Sequence, residues 1–169
     1  ASNFSEDVYF EVIKKKTAAL FATAAEAGAI SVKSTDEMAE MSRQFGELIG
    51  ISFQIKDDIF DYYSSDVLGK PTGNDMREGK LTLPVLYVLN TLKNPSMIEL
   101  ALKIRALDAS DEEIAYFIDY IKKNGGIEYA TQVMIEYRNK ALAILPDDIS
   151  DELKTALTSY IDYVIERNK

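Results

Sequence analysis

The chain has 169 residues, 47% hydrophobic and 28% charged, with 28 acidic against 19 basic side chains and a net charge of −9. That composition supports a buried core, and its acidity repels a phosphodiester backbone, which argues against nucleic-acid binding. With no Cys and no His, disulfides, thiolate metal sites and imidazole chemistry are excluded, leaving carboxylates and lysines to do any work. No apolar stretch reaches the ~20 residues of a membrane span. The start, Ala1-Ser2-Asn3-Phe4, lacks Met and any signal-peptide pattern, and reads as a piece of a longer chain.

The periodicity is helical from end to end, so an all-α fold is expected. Ser5, followed by Glu6 and Asp7, caps a first helix that runs to Ala27, where Gly28 stops it. Ser34 and Glu37 have capping-box spacing and open a long helix to about Tyr63. Residues 64–80, with Gly69, Pro71, Gly73, Asn74 and Gly79, read as a loop long enough to carry function. Helices follow over Leu81–Leu92, Ser96–Leu107, Ser110 to Gly125, Ile127–Leu145 and Ser150–Arg167. Pro84, a Ser110/Glu113 capping box and Gly125-Gly126 mark their ends.

The most informative segment is Gly46 to Asp61, containing Phe53-Gln54-x-x-Asp57-Asp58-x-x-Asp61. At ~100° per residue, Asp57 and Asp61 share a helix face with Asp58 beside them, and Gln54, Gly50 and Gly46 continue the stripe. Like charges four apart destabilise a helix by ~0.2–0.5 kcal/mol, and a divalent cation reverses that. Mg²⁺ takes one or two carboxylates and keeps its other positions for water and phosphate oxygens. The glycines are expected to clear room for a ligand. The same spelling recurs at Asp147-Asp148-x-x-Asp151, but there it follows Pro146 and straddles Ser150, so it reads as an acidic helix start.

Lys70 and Lys80 lie in the glycine-rich stretch. Lys14, Lys15 and Lys16 spread over ~200° of helix, and periodicity leaves open whether Lys16 turns inward. Carboxylates, lysines and an apolar bundle together suit a diphosphate carrying a hydrocarbon chain.

At Lys16-Thr17-Ala18, Phe53 to Asp61, Gly69-Lys70-Pro71-x-Gly73-x-Asp75 and Glu78-Gly79-Lys80-x-Thr82-x-Pro84 the chain resembles the trans-prenyltransferases, or polyprenyl diphosphate synthases. The motifs stand in family order and cover residues 8–90. The resemblance implies the C-terminal half of the isoprenoid synthase helical bundle. Residues 1–169 would then be part of a single domain whose other half carries a first aspartate-rich motif. It implies Mg²⁺-dependent condensation of an allylic prenyl diphosphate with isopentenyl diphosphate to a trans-polyprenyl diphosphate, in a cytoplasmic homodimer. Asp57 would ligate Mg²⁺, with Asp58 and Asp61 completing the motif partly through water. Lys16, Lys70 and Lys80 would grip the allylic diphosphate, and Thr17, Phe53 and Gln54 would line the reacting end. The Leu81-Thr82-Leu83-Pro84-Val85-Leu86 segment and the Val164-Ile165-Glu166-Arg167 ending look more like bacterial medium- or long-chain, octaprenyl-type synthases than farnesyl synthases. Alone, the chain is expected to be inactive. A terpene cyclase would need an N-D-x-x-S-x-x-x-E pattern that is not found near Asp57. A non-catalytic helical subunit binding a partner would be expected to have a degraded aspartate motif.

Overall fold

The computed structural model describes residues 4–63, 72–147 and 149–166. Among them every regular element is helical. The elements are α1 (Glu6–Ile13), a π-helical turn (Lys14–Ala18), α2 (Ala19–Ser31), α3 (Asp36–Phe60), α4 (Asn74–Arg77), α5 (Leu83–Leu92), α6 (Pro95–Arg105), α7 (Asp111–Lys123), α8 (Gly126–Ala143) and α9 (Asp151–Glu166).

Local chemistry explains most of the boundaries. Ser110 accepts from the Glu113 backbone N–H while Glu113 accepts from that of Ser110, the reciprocal box expected at the start of α7. The Asn94 side chain caps α6 by accepting from Ser96 and Met97, and Ser150 Oγ accepts from Leu153 at the start of α9. After α7, Gly125 takes φ 82°, a left-handed position that most side chains resist.

Three expectations are corrected. Gly28 does not stop α2; with no atom within 4 Å of where its Cβ would stand, the helix continues to Ser31 and turns out through Lys33 at φ 58°. Thr35, not Ser34, caps α3, its hydroxyl accepting from Met38 at 3.2 Å. The loop after α3 contains a helix of its own, α4.

The chain forms two compact units, which it crosses within α1, α3 and α8. Among the described residues, the first comprises 4–9, 57–63 and 72–132. Here α7 packs on α5 and α6, around Leu83, Val85, Ala101, Ile104, Phe117 and Ile121, all essentially solvent-free. Each large apolar side chain so buried contributes about 1.5–3 kcal/mol. Tyr129 stacks on Tyr87 with centroids 4.1 Å apart and donates to Glu6 at 2.9 Å.

Among the described residues, the second unit comprises 10–56, 133–147 and 149–166. Its core includes Ala18, Ala22, Ile51, Ile55, Ala141 and Ile161. The fully buried Ser52 is satisfied by donating to the Met134 carbonyl at 3.0 Å, which ties α3 to α8. Arg138 on α8 pairs with Asp162 on α9 through a 2.7 Å Nε bond. An apolar groove of about 430 Å³ runs between Phe45, Met41, Ala25 and Leu157.

Candidate active site

In the second unit, Lys14–Ala18 form the π-helical turn. The Ala19 N–H bonds the Lys14 carbonyl five residues back, giving the wide turn that often marks functional positions. Lys14, Lys15 and Lys16 are all exposed, so in this chain Lys16 faces solvent. Thr17 is half-buried, and its hydroxyl donates to Gln54 Oε1 at 2.7 Å. The Phe53 ring tilts against Phe21 with centroids 5.3 Å apart. Thr17, Phe53 and Gln54 are thus brought together across the two helices.

The α3 glycines serve packing and do not clear space for a ligand. A Cβ at Gly46 would stand 2.4 Å from the Phe21 carbonyl oxygen, and one at Gly50 would stand 2.7 Å from the Ala18 Cα. The room expected for a ligand is filled by the backbone of the neighbouring helix, and this close approach is what requires glycine.

In the first unit, the end of α3 carries the three aspartates in three different environments. Asp57 is exposed. Asp58 is buried, 4% exposed, and accepts a 2.6 Å hydrogen bond from the Tyr9 hydroxyl. Asp61 is half-buried and caps α4: Oδ1 accepts from the Asn74 N–H at 2.9 Å and Oδ2 from the Asp75 N–H at 3.0 Å. Burial pushes the Asp61 carboxyl above its ordinary range, and those two N–H groups oppose the shift. Asp75 is also raised, first by burial and then by the charge of Asp61. Lys80 is exposed, pairs with Glu78 and stands 3.9 Å from Asp75. The Glu78 partner raises the Lys80 ammonium, keeping it charged. Lys70 lies outside the described residues.

Sequence reasoning gave no role to four residues found here. Tyr9 is the donor to Asp58, 49 positions away. Tyr62 is 2% exposed, and its hydroxyl makes no well-formed hydrogen bond among the described residues, Thr82 approaching it only loosely. Asp75 was legible as a motif letter only. Lys56 is buried at 5% exposure on α3. Burial of Tyr9 was readable from its position one turn before the buried Ile13; its partner was not.

A family model described as polyprenyl synthetase matches residues 1–121. The chain belongs to the polyprenyl synthetase family. It is 36% identical over 165 residues to a short chain isoprenyl diphosphate synthase of Methanothermobacter thermautotrophicus, covering 96% of this chain and 50% of that protein. It is 35% identical over 160 residues to heptaprenyl diphosphate synthase component 2 of Bacillus subtilis, covering 94% of this chain and 45% of the relative. Among solved structures, geranylgeranyl pyrophosphate synthase from Bacteroides thetaiotaomicron superposes with a TM-score of 0.89 at 51% identity, covering 98% of this chain and 55% of that one. The chain spans about half the length of the curated relatives it matches. The all-α architecture is that of the polyprenyl synthetases. No helix among the described residues is long and apolar enough to cross a membrane.

The donor set can be tested against the Mg²⁺ that the family resemblance implies. Among the described residues no three acidic side chains form a group able to hold a metal ion. Mg²⁺ does not require three; it binds through one or two carboxylates and leaves its remaining positions to water and phosphate. Asp57 and Asp61, one turn apart, are hard oxygen donors of that kind. Each Asp61 oxygen that accepts an N–H keeps a further lone pair. Asp57 and Asp61 therefore fit the ion.

Proposed function

We propose that the chain supplies the allylic diphosphate side of a trans-prenyltransferase site. The whole protein would condense an allylic prenyl diphosphate with isopentenyl diphosphate to a trans-polyprenyl diphosphate. The observation that carries this reading is the division of labour at the end of α3, in a polyprenyl synthetase with its aspartate motif intact: Asp57 is open to solvent and Asp61 is locked one turn away. A polyprenyl synthase from Caulobacter crescentus, 32% identical and with a TM-score of 0.89 over 51% of that chain, was solved with calcium and isoprenyl diphosphate, which supports a divalent cation and a prenyl diphosphate as ligands.

Bound Mg²⁺ would supply charge neutralisation for the departing diphosphate. Asp57 and Asp61 would hold it. Lys16, Lys70 and Lys80 would bind the diphosphate oxygens and stabilise the charge that gathers there as the allylic C–O bond breaks. Thr17, held by Gln54, and Phe53 would line the reacting end, with apolar and polar surface that keeps the allylic carbon away from water. The isopentenyl double bond then forms the new C–C bond, and the proton it loses goes to the released diphosphate. His-free chemistry suits this scheme, because no side-chain base is needed.

The homodimer and the cytoplasmic location belong to the same proposal. The name of the Bacillus relative, component 2, says that it works with another component. That observation favours a second reading, in which this chain needs a separate partner. Exposed Val8, Val12, Leu20 and Ile30 on α1 and α2 would suit such a contact.

The test is steady-state condensation by the whole protein that contains this chain. Asp57→Ala is expected to lower kcat by ~10²-fold or more, the scale of losing a transition-state charge stabiliser. Unchanged turnover at saturating Mg²⁺ would reject the metal role, and a whole protein that makes product only when a second component is added would establish the second reading.

A further inference from the structure

Of the three motif carboxylates, Asp58 alone is fully buried, Asp61 being half-buried and Asp57 exposed. An ionised carboxylate taken out of water loses several kcal/mol of solvation unless strong donors replace the water. The Tyr9 hydroxyl provides such a donor: 2.6 Å is the length of a charge-assisted O–H···O⁻ bond. Burial, and after it the Asp58 charge, push the Tyr9 phenol far above its ordinary range, so it remains a donor throughout the physiological span. Tyr62, wholly buried, lies within electrostatic reach of the same carboxylate. A Mg²⁺ ion dehydrates reluctantly and approaches with several waters attached. A side chain 4% exposed offers no room for that approach.

We propose that Asp58 does not ligate the metal: clasped by Tyr9, it anchors the end of α3 so that Asp57 and Asp61 face the diphosphate, which makes Tyr9 a positioning residue. This rests on the magnesium reading of the site given above. It separates residues that the D-D-x-x-D spelling treats alike. It also puts one determinant of the metal site on α1, 49 residues from the motif.

The experiment is Mn²⁺ binding in the presence of inorganic diphosphate, followed by electron paramagnetic resonance. Each variant is measured at a temperature where circular dichroism shows it folded. Asp57→Asn is expected to weaken Mn²⁺ binding about tenfold or more. Asp58→Asn, which keeps an oxygen for Tyr9, is expected to stay within about threefold of the wild type. Tyr9→Phe is expected to weaken binding about tenfold while the protein stays folded, and Asp58→Ala to match it. Asp58→Asn losing as much as Asp57→Asn would overturn the proposal alone. So would a folded Tyr9→Phe with wild-type affinity, which would leave Tyr9 as a stability residue only. A wild type that binds no Mn²⁺ would overturn the magnesium reading and this proposal together.

Discussion

At the scale of single residues, the aspartate motif shows how identical side chains acquire different work from what lies next to them. Asp61 is fixed by two backbone N–H groups of α4, Asp58 is buried against a phenol from α1, and Asp57 is exposed. The helical spacing of the motif was legible because 100° per residue is a geometric fact. The Tyr9 clasp was not, because no local pattern names a partner so distant in sequence. Another residue gives a clean pH test. Glu113 accepts from Lys103 first and from the Ser110 backbone second, and both lower its carboxyl below the ordinary ~4.3. A lowered carboxylate contributes stability above its unfolded value and loses it as pH falls through the folded value. The Tm of wild type should therefore exceed that of Glu113→Gln at pH 7, and the gap should shrink as pH falls below the ordinary carboxylate range and the folded carboxyl is protonated. A gap that persists in acid would show that the contribution does not come from the charged pair.

At the scale of elements, glycine is the residue whose meaning the sequence conceals. Gly28, Gly46 and Gly50 all sit in helices, each at a propensity penalty of about 1 kcal/mol relative to Ala. Only their surroundings separate them. Gly28→Ala meets nothing within 4 Å and should raise stability by about 0.5–1 kcal/mol in urea unfolding. Gly50→Ala meets the Ala18 backbone at 2.7 Å and should lower it by about 1–3 kcal/mol, since overpacking outweighs the propensity gain. Equal effects at the two positions would contradict the packing account. The Ser110/Glu113 box and the Ser150 cap were legible, because a cap and its helix lie within a few residues of each other. The choice of Thr35 over Ser34, the extra winding at Lys14–Ala18 and the short α4 depended on tertiary packing that overrides propensity.

At the scale of the whole molecule, the all-helical architecture was readable from periodicity and composition alone. The division into two units was not, because its seams fall inside α1, α3 and α8, where no turn residue marks them. The chain presents one aspartate motif on a helix and spans about half of its relatives. On the proposed function, the 169 residues by themselves should bind Mg²⁺ and diphosphate at about millimolar strength or weaker by calorimetry, and should form no prenyl diphosphate. Product from the isolated chain would overturn that expectation. The Asp61 cap reaches further than the site. With the Gly73 N–H bonded to the Asp61 carbonyl at 2.8 Å, and Asn74 and Asp75 bonded to its side chain, one residue staples together the two feet of the intervening segment. The same bonds seat the start of α4 on the end of α3, so a change of the Asp61 side chain is felt in both helices at once.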